Sequence, residues 1–120
     1  MSGRTLDHVW FWTRDMDRAV SFYRDVVGLA LISRYGDEWA EFDAGGARLA
    51  LHGAGERREL PHGGTAVFRV DDLDGSKLAL EQKGVRFAEH VGEVEGRARF
   101  ASFDDPDGNS VQIIEYLGER

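Results

Sequence analysis

The chain has 120 residues, 42% of them apolar, and a formal net charge of −7. These values fit one globular domain, or two half-domains sharing a core, and argue against non-specific binding to nucleic acid or anionic membranes. No apolar run is long enough to span a bilayer, and the absence of cysteine excludes disulfides and protein thiol chemistry. Because the N-terminal residues lack an apolar signal region, we expect a cytoplasmic protein.

The first half of the chain predicts one helix and four strands. A strand is expected over residues 7–13, where alternation places His8, Trp10 and Trp12 on one face. Asp15 is a good N-cap for a helix of about three turns that ends at Gly28. The apolar positions that set the helical spacing are Ala19, Phe22, Tyr23, Val26 and Val27. Three strands follow, at 30–34, 38–43 and 48–52, with glycine-containing turns between them.

The second half repeats the first. Asp72-Leu73-Asp74 matches Asp15-Met16-Asp17 at an offset of 57 positions, and the flanking apolar segments keep that offset. This repeat predicts module one at about 5–53, a polar linker at 54–63 and module two at about 64–117 within one domain. The expected elements of module two are a strand at 65–70, a helix at 73–83 and strands at 85–94, 97–104 and 110–116. A turn-forming sequence occupies residues 104–109.

Several segments of the chain resemble the vicinal oxygen chelate superfamily, which includes glyoxalase I, fosfomycin-resistance enzymes, extradiol dioxygenases and bleomycin-binding proteins. The segments are Leu6-Asp7-His8-Val9, residues 16–23, Val27-Gly28-Leu29, Lys83-Gly84-Val85 and residues 103–109, followed by a strand ending in Glu115. The resemblance covers about residues 6–116. It implies an α+β fold in which two tandem βαβββ modules form a cup-shaped mixed sheet.

The resemblance also implies a metal site. Metal-dependent members take ligands from the first and last strand of each module, which here gives His8, His52, Thr65 and Glu115. Two imidazoles and one carboxylate suit a divalent transition metal with open coordination positions, so we expect iron, zinc, nickel or manganese on His8, His52 and Glu115. The departure is Thr65, which stands where related His-His-Glu enzymes have their second histidine. We take His62 and His90 to be structural or surface residues.

The residues around this predicted site form an apolar, aromatic pocket with nearby guanidinium groups. Its predicted substrate-binding residues are Trp10, Trp12, Arg48, Thr65, Val67, Arg69 and Ile113. Alternation predicts that Ala50 shares the face of His52, and that Val111 and Ile113 share the face of Glu115. Trp39 fits either the pocket or the packing of the core.

Two functions compete. The first is a divalent-metal-dependent lyase, isomerase or dioxygenase acting on a small oxygenated, flat or aromatic substrate, with Glu115 as its catalytic base. The alternative is a metal-free protein that sequesters a drug or metabolite, as bleomycin-resistance proteins do. The resemblance also implies a homodimer, in which the sites can be shared between subunits.

Overall fold

The computed structural model describes residues 4–60, 63–104, 106 and 109–118. Its elements follow the order βαβββ twice, as the repeat predicts. The chain divides into two compact units, His8–Gly64 and Met1–Asp7 with Thr65–Arg120, which we call module one and module two. No helix of the described residues is long and apolar enough to cross a bilayer. The predicted linker residue His62 and positions 105, 107 and 108 of the predicted turn lie outside the described residues.

The elements lie close to their predicted positions. They are β1 (Thr5–Thr13), α1 (Met16–Ser21), a π-helical turn (Phe22–Val27), β2 (Ala30–Tyr35), β3 (Trp39–Asp43), β4 (Arg48–Gly53), β5 (Thr65–Arg69), α2 (Leu73–Gln82), β6 (Gly92–Val94), β7 (Ala98–Asp104) and β8 (Ser110–Tyr116). The predicted strand at 85–94 is wrong over most of its length, since only Gly92–Val94 forms a ladder with β7. Phe87 makes one bridge to Phe103, and their rings meet edge to face with centroids 5.1 Å apart, packed against the core of module two.

The first helix begins as predicted but does not continue as predicted. Asp15 Oδ1 accepts a hydrogen bond from the backbone N–H of Arg18, and Gly28 ends the segment with a φ of 88°. After Ser21, however, the chain widens into the π-helical turn. Because a π-helix bonds i to i+5, the side chains leave the 3.6-residue pattern. Val26, one of the apolar positions that set the predicted helical spacing, is therefore 72% exposed.

Module one has the strand order β2-β3-β4-β1, with β1 parallel to β4 and the other pairs antiparallel. One face of its sheet packs on the helix, where Met16 and Val20 meet Ala40, Phe42 and Leu51. The opposite face, which we call the aromatic face, follows from the register because paired residues project to the same side. On β1, β3 and β4 its residues are His8, Trp10, Trp12, Trp39, Glu41, Asp43, Arg48, Ala50 and His52.

Module two has the strand order β5-β8-β7-β6, with β5 parallel to β8. Its helix α2 packs on a core of Val70, Leu73, Ala101 and Ile113. Asp72 caps α2 by accepting a hydrogen bond from the backbone N–H of Gly75. Hydrogen bonds from Arg99 on β7 hold the pKa of Asp74, in the first turn of α2, below its usual range. This exposed ion pair ties the start of the helix to its own sheet.

We predict that Gly53→Ala destabilises the protein. A Cβ at Gly53 would lie 1.9 Å from the backbone carbonyl oxygen of Asp37, and the Gly53 N–H already donates to the Glu38 carbonyl at 2.9 Å. The backbone must therefore shift, which costs about 1–3 kcal/mol in the free energy of unfolding measured with urea. Gly46→Ala is the control, because its Cβ meets nothing within 4 Å. Equal stabilities of the two variants would contradict the close approach.

Candidate functional site

The aromatic face carries all three tryptophans of the chain. Trp10 and Trp12 pack edge to face with ring centroids 5.1 Å apart. The His52 ring contacts all three, at 4.4 Å from Trp12, 5.5 Å from Trp10 and 5.6 Å from Trp39. Trp39 also contacts the ring of His8 at 5.9 Å. The β1–β4 and β3–β4 registers thus produce a continuous surface of ring systems.

Arg48 and Glu41 on this face form an ion pair. Arg48 donates to Glu41 Oε1 at 3.1 Å, and the indole N–H of Trp39 donates to Glu41 Oε2 at 2.9 Å. Both side chains of the ion pair are at least partly buried. Arg48, a predicted substrate-binding residue, is thus paired with Glu41. Sequence reasoning missed Glu41, although the predicted β3–β4 hairpin brings it diagonally opposite Arg48.

His52 presents one ring nitrogen to the aromatic face. Its Nδ1 lies 2.9 Å from the carbonyl oxygen of Gly53. Because a carbonyl oxygen only accepts, Nδ1 carries the hydrogen in the neutral ring and Nε2 keeps its lone pair. Nε2 of His52 is therefore available to accept a hydrogen bond from a ligand.

The segment that follows β4 folds back onto Trp12. The guanidinium of Arg57 lies over the Trp12 ring, 4.7 Å from its centroid. Arg14 holds this segment by donating to the carbonyl oxygens of Arg57, at 2.7 Å, and of Arg58. Trp12 therefore has His52 and Arg57 as neighbours within module one.

In module two, Thr65 and Val67 are buried and Arg69 is exposed. The register pairs Val67 with Gln112, so Gln112 shares the face of these predicted residues. Arg69 lies over the Tyr116 ring at 5.3 Å. The phenol of Tyr116, in turn, donates to Asp7 Oδ2 at 2.8 Å. Gln112 and Tyr116 are among the polar residues of this face that sequence reasoning did not find.

Glu115 and Ile113 lie on the other face of module two, the one that packs on α2. Ile113 is 2% exposed and belongs to the core with Leu73. Glu115 Oε1 accepts a 2.7 Å hydrogen bond from the backbone N–H of Leu73, the first residue of α2. This N–H has no partner within its own helix, and the carboxylate satisfies it. Sequence reasoning did not identify this capping contact.

The strand registers give the structural correspondence between the modules. Trp10 pairs with Ala50, and Val67, which lies 57 positions after Trp10, pairs with Gln112. Gln112 is therefore the counterpart of Ala50, and Glu115 is the counterpart of Gly53. Matching His52 to Glu115 as strand ends is one residue out of register, and a shift of one residue reverses the face.

The metal ligands that the resemblance implies are not arranged so that they could bind one metal ion together. His8 pairs with Arg48, and His52 lies four residues beyond Arg48 on β4. At ~3.3 Å per residue, the two histidines are therefore separated by ~13 Å along the strands. Ligands of one ion must each lie about 2 Å from it. Across residues 4–60, 63–104, 106 and 109–118, no group of three or more His, Asp or Glu side chains could hold an ion. The set His8, His52 and Glu115 stays a prediction.

A family model matches most of the chain. The model describes the Glyoxalase/Bleomycin resistance protein/Dioxygenase superfamily and matches residues 5–113. The chain belongs to this superfamily. The fold implied by the resemblance, two βαβββ modules, is thereby confirmed.

Other proteins are similar to this chain along most of its length. The uncharacterized protein YraH of Bacillus subtilis is 30% identical, over 86% of this chain and 91% of its own. Lactoylglutathione lyase of Haemophilus influenzae is 26% identical, over 90% of each chain. The crystal structure of methylmalonyl-CoA epimerase from Mycobacterium tuberculosis has a TM-score of 0.77 at 23% identity, over 94% of this chain and 88% of that one. This last likeness concerns the fold alone.

We predict that Glu115 supports the fold. Glu115→Ala leaves the N–H of the buried residue Leu73 without its acceptor, and should lower the free energy of unfolding by about 1–3 kcal/mol. Glu115→Gln keeps a side-chain oxygen acceptor and should retain most of the stability. The measurement is urea unfolding of protein treated with a chelator. A chelator-treated Glu115→Ala variant as stable as the parent would contradict this role.

Proposed function

We propose that the protein binds a small planar, aromatic molecule against the aromatic face of module one, and that the ligand carries a hydroxyl or N–H donor. The proposal rests on the contacts among Trp10, Trp12, Trp39 and His52, which present several ring surfaces around one imidazole. Small-molecule sites combine such an apolar, aromatic lining with a few fixed polar groups.

The polar groups on the aromatic face favour a ligand without a strong charge. Arg48 and Glu41 neutralise each other, and the Trp39 N–H is also used by Glu41. His52 Nε2 remains as an acceptor. Affinity then comes from ring stacking, and orientation from one hydrogen bond donated by the ligand to His52.

Binding without a resident metal agrees best with the arrangement of the donors. Glu115 caps α2, and His8 and His52 lie at separate levels of the β1–β4 ladder. This favours the sequestering alternative, in which the protein retains its ligand rather than transforming it.

We predict that binding depends on the hydrogen bond to His52. With 6-hydroxyquinoline as the probe, we expect saturable binding by calorimetry, about fivefold to tenfold tighter than quinoline, which lacks the hydroxyl. His52→Ala should remove this preference, and His90→Ala, at an exposed histidine of module two, should leave it unchanged. Failure of 6-hydroxyquinoline to bind, or an unchanged preference in His52→Ala, would contradict the proposal.

A second candidate is a metal-dependent enzyme acting on a small oxygenated substrate. Two observations favour it: His8 and His52 share one face, and lactoylglutathione lyase is similar along nearly the whole chain. In this case His8, His52 and Glu115 would hold iron, zinc, nickel or manganese, with the Thr65 hydroxyl or water beside them.

Metal content separates the two candidates. The sequestering proposal predicts far less than one equivalent of transition metal in protein purified without a chelating tag, and no saturable Zn²⁺ binding by calorimetry. His8→Ala should then change neither result. About one ion per chain, lost in both His8→Ala and Glu115→Gln, would overturn the metal-free proposal and establish the second candidate. The homodimer stays a prediction that sedimentation can test.

A further inference from the structure

A groove of about 670 Å³ lies on the helix side of module one and reaches Trp12 near the end of β1. Phe11 and Leu51 line it from the sheet, and Phe22, Tyr23 and Val26 line it from the π-helical turn. Its volume is within the range of small-molecule sites, about 300–1,000 Å³.

The π-helical turn leaves apolar side chains exposed beside this groove. Phe22 is 50% exposed and Val26 is 72% exposed. A regular α-helix with the same sequence would direct these positions toward the core, as their spacing predicts. Exposed apolar surface next to a cavity indicates a place where a ligand removes it from water. π-helical turns also occur frequently at functional sites.

Among the described residues that line the groove, one cation has no hydrogen-bond or ion-pair partner. Asp15 caps α1, and Asp25 receives two hydrogen bonds from Arg24, at 2.8 and 2.9 Å. Arg14 donates to backbone carbonyls of the segment after β4. Within the part of the chain that the structure describes, the guanidinium of Arg18 has no hydrogen bond or ion pair. The groove therefore combines apolar walls with an unneutralised positive charge.

We propose that this groove is a second ligand site, which binds a small aromatic acid. The rings of the acid would pack against Phe11, Phe22 and Val26, and its anionic group would pair with Arg18. An arginine binds a carboxylate or sulfonate through charge-assisted hydrogen bonds. The site is distinct from the one proposed above: Trp12 borders both, but the aromatic face contains neither Arg18 nor Val26.

Anilinonaphthalene sulfonate is a suitable probe, because it is an aromatic anion whose fluorescence rises in apolar sites. We expect one molecule to bind per chain, with affinity reduced about tenfold by Arg18→Gln and by Val26→Asp. Val27→Asp is the matched control, because Val27 is also exposed, at 50%, but does not line the groove. The affinity of this variant for the probe should stay within about twofold of the parent. Near-ultraviolet circular dichroism checks that each variant is folded.

Three outcomes would overturn the proposal: no saturable binding, affinities unchanged in Arg18→Gln and Val26→Asp, or an equal loss in Val27→Asp.

A second copy of this chain is the other molecule that could occupy the groove, and sedimentation tests for it. If Val26→Asp converts a dimer to a monomer, the groove is a subunit interface and the acid site is wrong. His52→Ala should leave binding of the sulfonate unchanged, so failure of this site and failure of the aromatic face are distinguishable.

Discussion

The alternation of side chains along β1 and β4, locked by their parallel pairing, is the constraint on which module one depends. Because Trp10 pairs with Ala50 and Trp12 with His52, one face receives every tryptophan and the other receives the residues that pack on α1. A shift of one residue would exchange the two faces and place the rings in the core. The packing of the core and the composition of the aromatic face thus rely on the same register.

The two modules use the same topology for different chemistry. In module one, the end of β4 brings His52 to the aromatic face. In module two, the end of β8 turns Glu115 toward the first turn of α2, where it satisfies a backbone N–H. Repeated units therefore need not carry equivalent functional residues. Glu115 corresponds to Gly53, the residue after His52, and this difference of one residue places the two side chains on opposite faces of their sheets.

Most of the fold could be predicted from the sequence, because its signals are local. Asp15 and Asp72 cap helices, Gly28 adopts the left-handed conformation, and the strands appear within one or two residues of their predicted bounds, apart from residues 85–91. The face of the sheet on which each side chain lies could also be predicted from alternation along a strand, as for His8, Trp10 and Trp12.

The π-helical turn was missed because it breaks the periodicity on which helix prediction relies. The Glu41–Arg48 pair and the Glu115 cap were missed because each depends on register between separate elements.

The central claim is that the aromatic face of module one is the binding surface. Each tryptophan indole N–H gives its own signal in a proton–nitrogen correlation NMR spectrum, and all three tryptophans lie on this face. On addition of 6-hydroxyquinoline, the account predicts saturable shifts of the three indole signals and of the His52 backbone amide. Stationary indole signals, with shifts confined to residues elsewhere in the chain, would contradict it.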